Sequence, residues 1–277
     1  MNDAQAMPAV ADGEVRPRFT LITICWNSAD TIGDTLRSID RQDFKDFEHL
    51  VIDGKSSDAT LEIVEQLKSP VRKVFSEPDK GIYDAMNKGL ARSRGEIIGF
   101  LNADDVLASD DVLSVIDRTF RSSGADSTYG DLVYVSRTDL SKVARYWKSS
   151  PFEKGSFRKG WCPPHPTFYV KRSVYERAGV FDRSYSLASD VELMMRFLEK
   201  ERISSTYIPA VLVRMRLGGV TNKSIRNIYL QNRQVLRALA VNGLKVSLAG
   251  FILPKAVNRL GQFLRSRLIG KGSAKDA

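Results

Sequence analysis

Glu96-Ile-Ile-Gly-Phe-Leu-Asn-Ala-Asp-Asp105 is an apolar run that fits a buried strand and empties directly into two adjacent carboxylates. Carboxylates at the carboxyl end of an internal strand lie where open α/β sheets bind ligands. Hard oxygens there suit a divalent cation and the phosphates it neutralises. An isolated Asp-Asp also reads as a strand closing in an acidic turn, so the surrounding chain has to decide between the two.

Upstream, the same pattern recurs. Phe19-Thr-Leu-Ile-Thr-Ile-Cys25 is β-branched and apolar and leads to the turn Trp26-Asn27-Ser28. Ile32, Leu36 and Ile39 follow at helical spacing. His49-Leu-Val-Ile-Asp53 is a second strand ending in an acid, followed by a helix with Leu61, Val64 and Leu67 inward. Asp58 precedes that helix and is expected to cap or orient it. A third strand, Val71 to Phe75, leads to a helix from Ile82 to Arg92 whose buried stripe is Ile82, Met86 and Leu90. Strands alternating with helices at this interval call for a parallel sheet with right-handed crossovers.

After a helix from Asp110 to Phe120 the alternation stops. Thr128 to Val135 and Ala144 to Lys148 read as strands without helical partners, and Phe152 to Pro166 as a long loop holding Trp161 and His165. Arg172 to Ala178 and Asp190 to Lys200 read as helices, Ser204 to Ile208 and Val211 to Leu217 as extended, with Gly218-Gly219 closing the body.

Composition narrows the class. An apolar content of 43% supports a proper core, which excludes a disordered chain. Cys25 and Cys162 offer neither a disulfide framework nor metal spacing, so a reducing, cytoplasmic compartment is the expectation. The first seventeen residues read as a loose tail and not a secretory signal, and no stretch approaches the roughly 20 apolar residues that span a bilayer. The net charge of +9 is confined to the end of the chain. Residues 222–277 carry eleven Lys and Arg against the single acid Asp276, leaving the rest close to neutral. A nucleic-acid partner is therefore not expected.

Taken in order, Thr23-Ile-Cys-Trp-Asn27, Ile52-Asp-Gly-Lys-Ser-Ser-Asp-Ala-Thr60, Asp79-Lys-Gly-Ile-Tyr-Asp-Ala-Met-Asn-Lys-Gly89, Gly99-Phe-Leu-Asn-Ala-Asp-Asp105, His165-Pro-Thr-Phe168, Gly179-Val-Phe-Asp182 and Ala188-Ser-Asp-Val-Glu-Leu-Met-Met-Arg196 resemble the inverting family 2 glycosyltransferases of the GT-A fold, in their bacterial polysaccharide-synthesis branch. The resemblance covers about Phe19 to Thr221. It implies an α/β fold with a mostly parallel central sheet flanked by helices. Residues 1–17 would be a flexible tail and 18–221 the GT-A domain, with donor and acceptor halves meeting near 121. Residues 222–277 would be a basic amphipathic helical extension.

Carried over to this chain, the resemblance puts a nucleotide-sugar donor, usually a UDP-sugar, across the first four strand ends. Asp53 would bond the base, with Thr23 and Asn27 lining the same pocket; the alternative for Asp53 is a turn acid satisfying the amides that follow it. Asp104 would be the principal ligand of Mg²⁺ or Mn²⁺, with Asp105 close behind. Asn102 stands where the family's first acid often stands, so one negative charge is lost, although its amide can still bond ribose or a metal-bound water. Lys80, Gly81 and Asp84 match the segment that closes over the donor, with Asp84 on ribose or sugar hydroxyls. Arg92 and Arg94 read equally well as phosphate partners or as solvated helix residues.

An inverting transfer needs one group to remove the acceptor hydroxyl proton from the side opposite the leaving diphosphate. The resemblance assigns that role to Asp190; the bare alternative is an acid stabilised by a helix N-terminus. Glu192, two residues on, would not share its face. His165, Trp161 and Phe168 are expected near the acceptor, or else in core packing. Acceptors in the family are often lipid-carried saccharides. The stripe Leu253, Val257, Leu260, Leu264 and Leu268, flanked by Lys255, Arg259 and Arg265, fits an anionic membrane surface bound through residues 243–271, on the inner face of the cytoplasmic membrane. A helix packed on the domain fits it as well. Two rivals remain. One is a non-catalytic nucleotide-sugar-binding or membrane-associated scaffold, supported by Asn102. The other is a nucleotide-dependent oxidoreductase, disfavoured because Cys25-Trp-Asn-Ser28 lacks the close-packed glycines that admit a dinucleotide pyrophosphate.

Overall fold

The computed structural model describes residues 16–218, 224–244 and 246. The expected apolar runs form three parallel neighbours, β1 (Phe19–Cys25), β2 (Phe47–Asp53) and β4 (Ile97–Phe100), buried along their whole length. Burial on both faces is what a parallel sheet under helices demands. β3 (Arg72–Ser76) forms the edge and is half exposed. Alternation splits the core between the two sides. Ile22 and Ile24 of β1 join Leu50, Ile52, Ile98 and Phe100 on one face, while Phe19 and Leu21 join Phe47 and Ile97 on the other.

The nine-stranded sheet has the order β3-β2-β1-β4-β8-β6-β9-β5, with β7 beside β6. β5 is Asp105–Leu107, β6 Ser127–Val135, β7 Val143–Trp147, β8 Tyr169–Lys171 and β9 Ser205–Arg216. Chains of parallel pairing give β1 to β4, β6 and β9 one direction; only the short β5, β7 and β8 run against it. The mostly parallel expectation holds, and the reversals belong to strands reached by loops instead of crossover helices.

Helices α1 (Ile32–Asp40), α2 (Thr60–Gln66), α3 (Ile82–Arg92) and α4 (Val112–Ser123) form the crossovers. The expected stripe of α3 needs correcting at its start. Ile82 is 40% exposed, and Tyr83 turns inward with Met86 and Leu90. The two extended segments expected near residues 204–217 are one strand, β9. Register shifts opposite Gly130 and Asp131 absorb the interruption at Pro209-Ala210 as a bulge. β5 was not anticipated; it places Asp105 inside the sheet, opposite Met215.

α5 (Arg172–Ala178) and α6 (Ser189–Met195) follow the acceptor-side loop, and α6 continues as a π-helical turn over Arg196–Lys200. α7 (Ile225–Val241) coincides with the first helix expected in the basic extension. Val235, Ala238 and Leu239 are buried in the same core as Leu193 and Met194 of α6. The second expected helix, from Pro254 to Leu268, lies outside the described residues, as does most of the tail 1–17. No helix among the described residues is long and apolar enough to cross a membrane.

Gly99 opens the inner face of β4 to β8. A Cβ there would stand 2.2 Å from the ring of Tyr169, which is fully buried. Gly99→Ala should cost about 1–3 kcal/mol of stability through overpacking. Chemical denaturation measures this, and an unchanged midpoint would remove the ring from that position.

Candidate active site

Cys25, Asp53 and Ser76 form one row across β1, β2 and β3, so three strands end at the same level. Asp53 is fully buried there and must be hydrogen-bonded. It accepts from the Ser56 amide at 3.1 Å, from the Ser76 hydroxyl at 2.6 Å and from the Ser56 hydroxyl at 2.5 Å. The turn-acid alternative is thus met at Ser56. Burial, then the nearby Asp53 carboxylate, pushes the Cys25 thiol up, so it stays protonated. Asn27, with φ of 48°, locks the first two loops: its side-chain oxygen accepts from the Ser57 amide at 2.9 Å, and its own amide donates to Ser56. Thr23, expected in the base pocket, is turned inward, because its hydroxyl pairs with the ring nitrogen of buried His49 at 2.9 Å. Asp58 accepts from the amides of Thr60 and Ala29, tying the start of α2 to the loop after β1.

Gly54 lets a second acid approach, since a Cβ at that position would meet the Asp79 carboxylate at 2.3 Å. Beside it Trp26, which sequence reasoning left unassigned, stands 67% exposed. Gly81, with φ of 107°, turns the chain into α3. Asp84 accepts from the Lys80 amide at 3.0 Å and from the guanidinium of Arg183 at 2.5 Å. Burial pushes its carboxyl up, but the Lys80 amide, Arg183 and Lys88 outweigh that and hold it below the usual range. Both oxygens expected to meet donor hydroxyls are therefore engaged within the protein. Arg92 bonds Glu77, and Arg94 bonds Glu48, so each arginine expected near phosphate has an acidic partner.

At the end of β4, Asn102 and Asp104 are half-buried while Ala103 and Asp105 face inward. The carboxylate of Asp105 is fully buried and neither oxygen has a hydrogen-bond partner. Burial, then the charge of Asp104, raises its pKa well above the usual carboxylate range. An orphaned carboxylate beside a second one fits a divalent cation, whose charge would relieve both. Among the described residues no group of three or more His, Cys, Asp or Glu converges, so such an ion would take its remaining ligands from water or phosphate. Arg216, at the end of β9, braces this turn. It donates to the Asp104 carbonyl at 2.9 Å, the Arg137 carbonyl at 3.0 Å and the Asp34 carboxylate at 2.6 Å.

Asp190, half-buried on α6, accepts a hydrogen bond from the Tyr83 hydroxyl at 2.9 Å. His165 is buried between Phe100 and Phe181, at centroid distances of 5.5 and 5.7 Å. Burial lowers its pKa, and the charge of Asp190 only partly opposes this. Glu192 pairs with Arg196 instead of facing the site. Phe168 is buried in the core. Trp161 packs on Phe157 and Tyr129, bonds Ser150 and walls an open cavity of about 300 Å³ with Glu153 and Lys159. Tyr83, Arg183 and Arg216 were missed because each acts across about a hundred residues of sequence, where no local periodicity reports a contact.

A mostly parallel sheet whose strand ends gather acids, continued by a mixed second half that carries Asp190, has the GT-A architecture. Residues 20–179 match the profile of Glycosyl transferase family 2, and the chain belongs to that family. A PGL/p-HBAD biosynthesis glycosyltransferase from Mycobacterium bovis is 25% identical over 88% of this chain and 93% of its own. The fold is also that of S. aureus TarS 1-349, solved with UDP-GlcNAc. That structure has 19% identity and a TM-score of 0.63, with 90% of this chain and 72% of that one covered. Mannosyltransferase PcManGT from Pyrobaculum calidifontis, solved with GDP-Man and Mn²⁺, has 16% identity and a TM-score of 0.57 over 99% and 91%.

His49 and His165 are the chain's two histidines, and burial lowers the pKa of both. The unfolded chain binds these protons near pH 6.5 and the folded chain does not. Stability present above that pH is therefore lost as pH falls, at about 1.4 kcal/mol per unit for each histidine. Replacing His165 with Asn should reduce that slope below about pH 6.5; an unaltered slope in denaturation curves would show a protonated His165.

Proposed function

We propose that this glycosyltransferase moves a sugar from a UDP-sugar, with inversion, to a hydroxyl of a saccharide or lipid-linked saccharide used in cell-surface glycan synthesis. The observation that carries this reading is the hydrogen bond from Tyr83, on the helix that follows Lys80-Gly81, to the carboxylate of Asp190 on α6, in a chain that also gathers Asp104 and Asp105 at the end of β4. The UDP complex of a structural neighbour and the glycan-related name of a sequence relative support the choice of nucleotide and acceptor class.

In this reading Trp26 offers a flat face to the base beside Asn27, with Asp53 bracing the pocket from below. Asp104 and Asp105 would hold Mg²⁺ or Mn²⁺, which when bound neutralises the diphosphate leaving group; the Mn²⁺ of PcManGT supports the same choice. Asn102 faces ribose. Asp190 removes the proton of the acceptor hydroxyl as its oxygen bonds to the anomeric carbon, and the carbon–phosphate oxygen bond breaks with its electron pair leaving on UDP. Trp161 and His165 border the acceptor side. Residues 18–221 act as the transferase domain, and residues 243–271 provide peripheral attachment to an anionic membrane face in the cytoplasm.

Thermal shift with UDP, GDP and NAD, each with and without Mn²⁺, tests the donor. UDP should stabilise the protein, more so with Mn²⁺, and Asp104→Ala should abolish the metal increment. Stabilisation by NAD alone would sink the reading. Asp190→Asn should lower turnover by about 10²-fold or more while UDP still binds; full turnover in that variant would assign the base elsewhere.

A further inference from the structure

Tyr83 stands out because it joins the two halves of the site through one bond. It is the second residue of α3, on the donor side, yet its hydroxyl donates to Asp190, 107 positions away. The ring is stacked on Phe181 at 5.8 Å and 24°, so its direction is fixed. The partner loop is fixed as well. Asn87 of α3 donates to the Phe181 carbonyl at 2.9 Å and accepts the Phe181 amide at 3.0 Å, and Arg183 closes onto Asp84. Three attachments within one helix therefore set the distance between α3 and the loop that leads into α6.

We infer that Tyr83 is a positioning residue for the transfer step: its hydroxyl holds one oxygen of Asp190 and leaves the other to receive the acceptor proton. This rests on the reading of Asp190 as the base. Tyr83 itself stays a donor, since burial and then the Asp190 charge raise its pKa well above the ordinary phenol. Tyr83 from α3 and His165 from the turn before β8 both interact with Asp190. The phenol donates the hydrogen bond that orients the carboxylate, at 2.9 Å, while His165 is buried between Phe100 and Phe181. Because Tyr83 lies two residues after Gly81, the segment expected to close over the donor is continuous with the helix that orients Asp190.

The experiment compares the full chain with Tyr83→Phe and Asp190→Asn. It measures UDP release from UDP-glucose, UDP-galactose and UDP-GlcNAc, with water as acceptor, as a function of pH. Tyr83→Phe keeps the ring and its stacking. It should lower kcat by about 10- to 100-fold, leave donor KM within about twofold, and move the acid limb of the kcat–pH profile upward by about one unit, because an ionised carboxylate loses a charge-assisted donor. A lowered melting temperature with an unmoved acid limb would make Tyr83 merely structural and overturn the inference. So would wild-type kcat in Tyr83→Phe while Asp190→Asn is inactive, which would leave the base assignment standing. Turnover retained by Asp190→Asn would overturn both.

Discussion

Burying a carboxylate without partners is costly, and Asp53 lies fully buried at the row where β1, β2 and β3 end together. Its oxygens draw in Ser56 from the loop after β2 and Ser76 from the end of β3. Ser56 in turn receives the Asn27 amide, so the loop after β1 joins the same network. One acid thereby sets the relative position of three loops, which is what a rigid pocket at the strand ends requires. Gly54 completes the arrangement by leaving room for Asp79 where any side chain would collide.

The end of β4 meets a different constraint. The Asp104–Asp105 turn brings two carboxyl groups together and is tied to the sheet and α1 through its backbone carbonyls. Thr35 of α1 donates to the Asp105 carbonyl at 2.7 Å, and Arg216 to the Asp104 carbonyl at 2.9 Å. The carboxylate oxygens of Asp105 have no hydrogen-bond partner. An aspartate at position 102 would add a third charge to this turn; Asn102 avoids that repulsion at the cost of weaker cation attraction.

Much of this was legible from the sequence because parallel strands buried on both faces are written as continuous apolar runs. Those of β1, β2 and β4 and the acids at their ends need no long-range knowledge to be found. Periodicity failed where helix geometry and tertiary contact compete. At the first turn of α3, Ile82 has the helical spacing, but the phenol of Tyr83 has a carboxylate to reach, and Tyr83 takes the inward position. β9 was divided because Pro209 interrupts the ladder locally, and only the pairing with β6 shows the strand continuing beyond the bulge. The resemblance implies a pocket-lining Thr23, whereas the direction of its hydroxyl depends on His49 in the next strand.

The C-terminal charge also changes meaning in three dimensions. A basic segment after Asn222 reads as a surface for anions, yet α7 spends part of its polar side on the loop that precedes Asp190. Gln234 accepts the Leu187 amide at 2.9 Å and donates to the Ser186 hydroxyl, while Arg237 lies over the ring of Tyr185 at 4.6 Å. Asn242 reaches toward Glu192 at 3.5 Å, one helical face away from Asp190. Tyr185 and Ala188 of this loop are buried in the core, and α7 adds these polar contacts to that packing. α7 therefore belongs to the architecture that presents Asp190, the proposed base, and the helix that begins the basic extension supports that residue's loop from one side as Tyr83 of α3 does from the other.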